Sequence, residues 1–600
     1  MNQDTVNKGG FIGFDFGTTN SLISFISNNR AINMLDEFKL PLPSVICYEG
    51  DKIIVGREAK SMLTDAAQLG VVGNVVNSPK TLLGKNKVHI EGIERSPSKM
   101  VAEIVRFAKK EAEEREPAQN FNNAVVTIPV DMNGARRRDL RLAFQEAGVS
   151  IEQFIHEPLA ALYGHLRSFE NYQDELIRLN KQIILVFDWG GGTLDLTLCE
   201  LKDGMLIQIM NDGCSNVGGD NIDEIIANEI ELRHLKEKVG NKKLQHNINS
   251  KARLRAIVEE EKIHLSKDQQ SLIFLNNYFN TENEDEATIH IELRREEMEI
   301  IIKEKIDEGI GRIDKLLQKC SVDKSSIEMC LATGGMVNMP IIQSRLKEIF
   351  GSQRVNISER GNTIIAEGAA WVANDAINLF LAKNIEVSVA RDDYYPILKA
   401  QTEMPRLGEK LTLEHTVYCT DPRDGFAKFQ ILSPIKYGKQ VQKTDDRDTL
   451  STFSIEVDKK ADPLLERLKF YTEIDHDLIL TVKAESSLKG DNDGVEIHNL
   501  EFGLELPGYE HTKFEQSSSE PSTNTRPQLD EGSLKIRPNI TESDLSKNLI
   551  PGELRYQVWR SDFDLRNTNL PQIQHDEKNY YMPCSICHLT YIECNCLRGT

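Results

Sequence analysis

The chain has 600 residues, and 40% of them are hydrophobic, which is enough for the cores of several domains. Its net charge of −21 argues against general binding to nucleic acid or anionic membranes, because both require a basic protein surface. The apolar runs are only as long as strands, and the start MNQDTVNKGG lacks the pattern of a signal peptide. We therefore expect a cytoplasmic protein without nucleic-acid or membrane partners.

The first predicted element is a β-hairpin, FIGFDFGTTNSLISFI, in which an apolar strand reaches Asp15 and a Gly-Thr-Thr turn leads into a second strand. Glycine lets backbone amides approach a ligand closely, and threonine hydroxyls add further donors, so the tip fits a phosphate group. A carboxylate at the same tip requires a cation beside the phosphate, and Mg²⁺ is the natural candidate. A tight surface turn would explain this hairpin alone equally well.

The same pattern returns in ILVFDWGGGTLDLTLCEL, with Asp188 at the tip. Two matched copies favour a phosphate clamp over two chance turns, and they indicate duplicated halves around a ligand cleft. Strand pairs alternate with helical patterns, as is typical of an α/β domain, and the helical patterns include Ser98–Glu114, Gly134–Ala147 and Asn221–Lys238.

A third glycine-rich segment places Gly334 and Gly335 between a short apolar strand and an amphipathic helix, where backbone can again lie against a ligand. From about residue 405 to 505 the pattern becomes β-like, in LTLEHTVYC, FAKFQIL, STFSIEV, LKFYTEI and LILTVKAES. The stretch Ser517–Pro527 is too polar to form a core, so it predicts a linker.

Six of the 10 cysteines stand singly in apolar or turn contexts, which suits reduced thiols in a cytosolic compartment. The other four form a C-x₂-C pair beside a C-x-C pair, and this spacing is compatible with one tetrahedral Zn²⁺ held by Cys584, Cys587, Cys594 and Cys596. Free thiols or a redox pair are alternatives that the spacing leaves open.

These motifs together resemble those of the DnaK-type seventy-kilodalton heat-shock chaperones, a family of actin-like ATPases. The resemblance rests on Asp15-Phe-Gly-Thr-Thr-Asn-Ser, His156-Glu-Pro-Leu-Ala-Ala-Leu-Tyr-Gly, Asp188-Trp-Gly-Gly-Gly-Thr-Leu-Asp and Gly334-Gly335. Further matches follow the same order along the chain, at Asn77-Ser-Pro-Lys-Thr-Leu-Leu-Gly, Thr127-Ile-Pro-Val, Gly218-Gly-Asp and the segment from Glu259 to Ser266. The match is strong over roughly residues 9 to 380, faint to about 505 and absent after that.

The resemblance implies an ATP-dependent molecular chaperone that hydrolyses ATP and binds unfolded or extended polypeptide. The implied fold is an α/β actin-like ATPase domain of two duplicated lobes, followed by a mostly β substrate-binding-like domain and a partly disordered tail. The expected boundaries are an ATPase domain at 9–380, a linker at 381–404, the β-rich domain at 405–506, an extended tail at 507–580 and a Cys-rich C-terminus at 581–600.

Roles for individual residues follow from the same resemblance. It implies catalysis by Lys80, Glu157, Asp188 and Thr193. It implies binding of phosphate and magnesium by Asp15, Gly17, Thr18, Thr19, Gly190, Gly191, Gly192 and Asp195. Adenosine contacts are expected from Gly218, Gly219, Glu259, Lys262, Ser266, Gly334 and Gly335, and a relay from Pro129 and Arg137.

The cofactors implied are ATP and Mg²⁺, with K⁺ as a further candidate, and the partners implied are a J-domain co-chaperone and a nucleotide exchange factor besides the client. The target of the C-terminal tail is unknown. The chain departs from the family at its adenosine end, where Ile263 replaces an arginine, Met336-Val-Asn338 replaces Ser-Thr-Arg and Asn362 replaces an aspartate. Two alternatives therefore stay open, namely a nucleotide-gated scaffold with little hydrolysis and a small-molecule kinase on the same fold.

Overall fold

The computed structural model describes residues 10–62, 74–85, 87–90, 92–240, 242–247, 250–389, 393–436, 441–509 and 558–559. The chain divides into two compact units, and each is formed by more than one stretch of sequence. The first unit contains Met1–Leu379, Arg406–Gly408 and Glu501–Pro507, and the second contains Phe380–Pro405, Glu409–Leu500 and Gly508–Thr600.

The strands follow the short apolar runs of the sequence, since such runs bury one or both faces of a sheet. In chain order they are β1 (Ile12–Phe16), β2 (Asn20–Ser27), β3 (Arg30–Asn33), β4 (Leu42–Pro43), β5 (Val45–Glu49), β6 (Lys52–Val55), β7 (Val75–Asn77), β8 (Val88–Ile90), β9 (Ile93–Arg95), β10 (Asn123–Ile128), β11 (Ser150–His156), β12 (Gln182–Trp189), β13 (Leu194–Lys202), β14 (Met205–Cys214), β15 (Gln270–Leu275), β16 (Ile289–Arg294), β17 (Ile327–Thr333), β18 (Val355–Ile357), β19 (Leu379–Leu381), β20 (Ile385–Val389), β21 (Asp393–Leu398), β22 (Lys410–Tyr418), β23 (Phe426–Pro434), β24 (Arg447–Glu456), β25 (Arg467–Asp475), β26 (Leu480–Ser486), β27 (Asn492–Ile497), β28 (Phe502–Glu505) and β29 (Val558–Trp559).

Helices connect the strands of the first unit. The α-helices are α1 (Pro97–Arg115), α2 (Gly134–Glu146), α3 (Glu157–Leu166), α4 (Tyr172–Arg178), α5 (Gly219–His234), α6 (Ser250–Leu265), α7 (Glu284–Ala287), α8 (Arg295–Lys319), α9 (Pro340–Phe350) and α10 (Ile364–Asn374). Residues 57–62 are also helical, and shorter turns of 3₁₀ or π type occupy Pro79–Leu82, Leu235–Val239, Lys324–Ser326 and Gly335–Asn338. The helical patterns predicted at Ser98–Glu114, Gly134–Ala147 and Asn221–Lys238 correspond to α1, to α2 and to α5 with the π turn that follows it. The amphipathic helix predicted after Gly335 corresponds to α9.

Two sheets of the first unit repeat one strand order. The first sheet runs β11-β10-β1-β2-β3, with β4 joining β2. The second runs β18-β17-β12-β13-β14 and continues to β28. In each sheet an antiparallel hairpin lies beside a parallel strand, which is β10 for the first hairpin and β17 for the second. The two predicted hairpins, β1-β2 and β12-β13, therefore occupy equivalent places in two sheets of the same mixed topology.

The helices α3 and α10 cross in direct backbone contact beside the first sheet. A Cβ atom added to Gly368 would lie 1.8 Å from the carbonyl oxygen of Ala160, and one added to Gly164 would lie 2.5 Å from that of Ile364. Only glycine allows this approach, because no other residue leaves the space. The crossing holds α3 in place, and α3 carries Glu157 as its first residue.

Smaller sheets complete the first unit, in the orders β6-β5-β7, β8-β9 and β15-β16. No disulfide joins the cysteines of the described residues, which are Cys47, Cys199, Cys214, Cys320, Cys330 and Cys419. Among the residues that the structure describes, no helix is long and apolar enough to span a bilayer.

The second unit contains two antiparallel sheets, in the orders β21-β20-β23-β24 and β27-β26-β25-β22-β29. The rings of Phe429, Phe453 and Phe470 meet in its core, where the centroid of Phe429 lies 4.9 Å from that of Phe453 and 5.3 Å from that of Phe470. The five strand segments predicted between residues 405 and 505 correspond to β22 to β26.

The structure differs from the predicted boundaries in two places. The stretch 381–404, expected as a linker, contains β20 and β21, because alternating apolar residues such as Ile385 and Val387 are buried in the core of the second unit. The end of the expected β-rich domain, Glu501–Pro507, belongs instead to the first unit, where β28 pairs with β14.

Candidate functional site

The tip of the first hairpin is held in place from two sides. The carboxylate of Asp15 accepts a hydrogen bond of 2.8 Å from the hydroxyl of Thr127, at the end of β10. The carbonyl oxygen of Gly17 accepts one of 2.9 Å from the hydroxyl of Ser44. A Cβ atom at Gly17 would lie 2.3 Å from the carbonyl oxygen of Asn20, so the turn has room only for glycine.

The tip of the second hairpin has its own internal support. The amide of Gly190 donates to the carbonyl of Thr193 at 2.9 Å, which closes the turn. The hydroxyl of Thr193 donates to Asp195 at 2.8 Å, and the indole N–H of Trp189 donates to the carbonyl of Val217 at 2.8 Å. The strand register places Asp188 directly opposite Asp195, so both carboxylates belong to the same end of the hairpin.

The two tips touch each other. A Cβ atom added to Gly191 would lie 2.2 Å from the hydroxyl oxygen of Thr19, and one added to Gly192 would lie 2.9 Å from the side chain of Thr18. The structure thus brings together the two glycine- and threonine-rich turns that the sequence suggested as halves of one clamp. Any side chain at the second tip would fill the space between them.

The start of α5 closes the second tip from behind. The amide of Gly219 donates to the carbonyl of Gly190 at 3.1 Å, and that of Asp220 donates to the carbonyl of Gly191 at 2.8 Å. A Cβ atom at Gly218 would lie 2.4 Å from the carbonyl oxygen of Gly191. The Gly-Gly-Asp motif therefore supports the glycine turn directly.

The segment of Gly334 lies against the same hairpin. Gly334 has a φ of +89°, a left-handed conformation that favours glycine, and a Cβ atom there would lie 2.4 Å from the carbonyl oxygen of Trp189 and 2.6 Å from Oδ1 of Asp188. Gly335 begins a 3₁₀ turn, and a Cβ atom there would meet no atom within 4 Å.

A buried ion pair completes the phosphate end of the site. The ammonium group of Lys80, in the 3₁₀ turn Pro79–Leu82, lies 3.0 Å from Oε1 of Glu157, and their side chains are only 1% and 11% exposed. Glu157 occupies the first position of α3, where a negative charge is favoured by the helix dipole, and Pro158 follows it.

Three further carboxylates, of Asp15, Asp188 and Asp195, are influenced by the charge of Lys80. Burial, followed by the charge of Glu157, raises the pKa of Asp15 to about 6, although Lys80 and the hydrogen bond from Thr127 oppose the rise. Burial raises the pKa of Asp188 well above its ordinary value, and the charges of Glu157, Asp195 and Asp15 add to the effect. Burial and then Glu157 likewise raise the pKa of Asp195. Such a crowded set of acids favours a bound cation, which would stabilise their ionised forms.

The donor set fits a magnesium–nucleotide complex. Two buried oxygen atoms at the hairpin tips, Oγ1 of Thr19 and Oδ1 of Asp195, have no hydrogen-bond partner within the described part of the chain. Hard oxygen donors of this kind suit Mg²⁺ and its waters, and the bare glycine turns suit phosphate oxygens. The residues present therefore match the group that the sequence implied.

Direct coordination of a metal ion by protein side chains alone is a separate question. Across the described ranges, no group of three or more His, Cys, Asp or Glu side chains is arranged to hold a metal ion directly. The cysteines predicted to hold zinc lie outside those ranges, at Cys584, Cys587, Cys594 and Cys596.

The residues expected at the adenosine end are already engaged by other side chains. The carboxylate of Glu259 lies 2.8 Å from the ammonium group of Lys60. Lys262 forms a 2.7 Å ion pair with Asp223, and the hydroxyl of Ser266 donates to the carbonyl of Lys262 at 3.3 Å. Glu259 and Lys262 lie on α6, and Ser266 is the turn residue directly after that helix. Lys60 lies in the helical stretch 57–62, and Asp223 lies on α5.

The expected relay residues are joined through the loop that follows β10. Nε of Arg137 donates to the carbonyl of Met132 at 2.8 Å, and the amide of Met132 donates to the carbonyl of Pro129 at 3.2 Å. Arg137 is fully buried. Pro129 and Arg137 are therefore linked by one shared residue.

Sequence reasoning assigned no role to two polar residues of the site, although it quoted one of them in the motif Thr127-Ile-Pro-Val. Thr127 holds Asp15, and Asp223 holds Lys262. Burial raises the pKa of Asp223 to about 6, while the neighbouring charge of Lys262 lowers it. Asp223 lies one helical turn after Gly219, a spacing that could have placed it on the same face of α5 as the Gly-Gly-Asp motif.

Comparisons with known proteins agree with this geometry. The family model described as Hsp70 protein matches residues 11–506. A relative named Chaperone protein DnaK, from Mycoplasmoides gallisepticum, is 27% identical over 510 residues, which cover 82% of this chain and 81% of that protein.

Proteins of the same name from Ureaplasma urealyticum and Mycoplasma mycoides are 31% and 32% identical over 363 and 368 residues. Each alignment covers 60% of this chain, which spans 57% and 58% of those relatives, respectively. The family predicted from the sequence motifs is thus confirmed. The chain belongs to the Hsp70 family of ATP-dependent chaperones.

Proposed function

We propose that this protein binds the phosphates of ATP between its two hairpin tips and hydrolyses the γ-phosphate beside the Lys80–Glu157 ion pair. The observation that carries the proposal is the contact between the tips, where Gly191 and Gly192 lie against Thr19 and Thr18. Two turns of bare amides and hydroxyls that face each other can hold one polyphosphate from both sides.

The phosphate contacts are shared between the tips. Gly17, Thr18 and Thr19 donate from the first hairpin, and Gly190, Gly191, Gly192 and Thr193 donate from the second. Asp15 and Asp195 would hold Mg²⁺ and its waters, because burial and mutual repulsion raise their pKa values and a cation would stabilise their ionised forms. When bound, the cation would supply positive charge beside the phosphates.

Hydrolysis is an in-line attack of water on the γ-phosphorus, which breaks the bond to the bridging oxygen and releases ADP and phosphate. Positioning and charge neutralisation do most of the catalysis. Lys80 contacts the γ-phosphate and the attacking water. Glu157 keeps Lys80 oriented and, with Asp188, positions that water. A carboxylate oxygen of Asp188 accepts the proton of the water, and Thr193 steadies the second tip through Asp195.

The nucleoside end binds less firmly. Its contacts come from Glu259 and Lys262 on α6, from Ser266 directly after that helix, and from the glycines Gly218, Gly219, Gly334 and Gly335. Ile263, which stands where the family has an arginine, is 51% exposed and supplies no charge to an adenine ring. We expect ATP to bind more weakly here than at a site that keeps that cation.

We propose further that the two repeated sheets of the first unit are the duplicated lobes of an actin-like ATPase domain. The two antiparallel sheets of the second unit would then bind unfolded or extended polypeptide. The relatives' name, Chaperone protein DnaK, supports this assignment of a client. A J-domain co-chaperone and a nucleotide exchange factor are the proposed partners of the ATP cycle, and K⁺ is proposed as an additional cation. Zinc is proposed to bind separately, in the Cys-rich segment 581–600.

Single-turnover ATP hydrolysis tests the proposal, with the wild-type chain beside Asp188→Asn. The variant removes a buried carboxylate from the cluster, so we expect its rate to fall by on the order of a hundredfold. Asp203→Asn is a matched control, because Asp203 is an exposed turn residue with a φ of +50°, which asparagine also adopts.

Each assay is repeated with and without unfolded peptide. Stimulation by peptide supports a chaperone cycle. A wild-type rate no higher than that of Asp188→Asn would instead favour a nucleotide-gated scaffold, and hydrolysis that depends on a small-molecule acceptor would favour a kinase.

A further inference from the structure

The strand β28 belongs to the first unit, although it is distant along the chain from the other strands of its sheet. Residues Glu501–Pro507 return to the first unit after the sequence has passed through the second. There β28 pairs antiparallel with β14, in a register that places Leu504 opposite Leu206 and Gly503 opposite Ile207. Phe502 and Leu504 are fully buried, so β28 is an integral strand of the second sheet.

A buried amide side chain joins β28 to the first sheet. Gln208, on β14, is fully buried. Its Oε1 atom accepts a 2.9 Å hydrogen bond from the backbone amide of Phe502 and lies 3.2 Å from Nδ1 of His156. The ring of Phe502 meets the ring of His156 edge on, with centroids 5.2 Å apart.

The orientation of Gln208 is set by chemistry. Its Oε1 atom must be the acceptor, because a backbone N–H can only donate, and its Nε2 atom donates to Oδ1 of Asn211 at 3.3 Å. The contact with His156 therefore requires a proton on Nδ1 of that ring. Gln208 fixes both the place and the tautomer of His156.

His156 occupies the N-cap position of α3, although its side chain makes no capping hydrogen bond, and Glu157 follows it directly as the first helical residue. The carboxylate of Glu157 is the partner of Lys80 at 3.0 Å. A shift of His156 would thus move the start of α3 and the carboxylate beside the γ-phosphate. Displacements of about 1 Å at such a group can slow an enzyme strongly.

We propose that Gln208 is a positioning residue for ATP hydrolysis, which uses the backbone of Phe502 as its anchor to hold His156 and thereby Glu157. The inference rests on the proposed function, since it requires that Glu157 act in hydrolysis. Gln208 is not among the residues that the sequence implied for phosphate, magnesium or adenosine binding or for the relay.

The test compares Gln208→Leu with Gln208→Glu in the full chain. Leucine removes the acceptor, so we expect single-turnover hydrolysis to fall by about ten- to a hundredfold while ATP affinity stays within about threefold. Glutamate keeps an acceptor for both Phe502 and His156 but loses the N–H that Gln208 donates to Asn211, so part of the lost rate should return. A structural role alone would not separate rate from affinity in this way.

Leu316→Ala is the control for stability, because Leu316 is buried in α8 and lies outside the proposed site. It should lower the melting temperature and leave the rate unchanged. The inference is overturned if Gln208→Leu hydrolyses ATP at the wild-type rate, or if Leu316→Ala loses as much rate at an equal loss of melting temperature. A wild-type chain without hydrolysis would reject the proposed function itself, and this inference with it.

Discussion

The phosphate end and the adenosine end of the site are built differently. At the phosphate end, turns interlock at van der Waals distance and charged groups are buried, as the 1% exposure of the Lys80 side chain shows. At the adenosine end, Ile263 is exposed and Glu259 is held by Lys60. Tight packing leaves little room for substitution, whereas an exposed face tolerates it. The difference explains the departure from the family motif at the exposed Ile263, whereas two further departures, Met336 and Val337, are at buried positions.

Replacing Lys80 should give the largest effect. Lys80→Met leaves Glu157 buried without its partner, which we expect to reduce the free energy of unfolding by about 3–5 kcal/mol and ATP turnover by on the order of a hundredfold. Chemical denaturation and single-turnover hydrolysis measure the two effects. Turnover within about threefold of wild type would show that the phosphate end is not the catalytic centre.

The double variant Lys80→Met/Glu157→Gln separates stability from catalysis. It removes the uncompensated charge, so it should recover part of the lost unfolding free energy. Turnover should stay low, because the groups that position the water are still missing.

The stability of the nucleotide-free protein should depend on pH through Asp15. Its folded pKa of about 6 exceeds the ordinary value of 3.8, so its stabilising contribution is complete below 3.8 and is lost as pH rises through 6. The loss amounts to about 3 kcal/mol for this group. Thermal melting of wild type and Asp15→Asn across this range measures it, since the asparagine variant lacks the titration.

Mg²⁺ with ADP should reverse that loss by stabilising the ionised carboxylate. We expect the complex to raise the melting temperature more at neutral pH than near pH 4, and more for wild type than for Asp15→Asn. Equal shifts for both proteins at both pH values would contradict a magnesium role for Asp15.

Two glycine variants compare the tolerance of the two ends. Gly17→Ala places a methyl group 2.3 Å from the carbonyl oxygen of Asn20, so the turn must shift, and we expect ATP affinity to fall by about tenfold. In Gly335→Ala the added methyl group meets no protein atom within 4 Å, so only its contact with the nucleoside can lower affinity, and we expect a smaller loss than for Gly17→Ala. Isothermal titration with ATP measures both, and equal losses would remove the contrast between the ends.

The smallest effect is a gain at the adenosine end. Ile263→Arg adds a cation at an exposed position of α6, and a contact with the adenine ring should raise ATP affinity by about two- to fivefold. Ile300→Arg is the matched control, because Ile300 is 75% exposed on α8. An equal gain in both variants would indicate general attraction of the nucleotide to added positive charge.

Much of the first unit could be predicted because its signals are local. The apolar runs around Asp15 and Asp188 predict hairpins, and the helical patterns predict α1, α2 and α5. The strands β20 and β21 were missed because resemblance assigned their stretch to a linker, although its alternation fits a strand. Thr127 and Asp223 were missed because their roles depend on hydrogen-bond or charge partners on other elements.

The sequence by itself determined that this chain belongs to the Hsp70 family and that two glycine-rich turns carry carboxylates, because these features are written in contiguous motifs. Only the tertiary structure decided that the turns touch, that Lys80 pairs with Glu157, and that residues 501–507 complete the second sheet. The physical reason is distance along the chain. A contact such as that between Gln208 and Phe502 joins residues 294 positions apart, and it exists only once the sheets have formed.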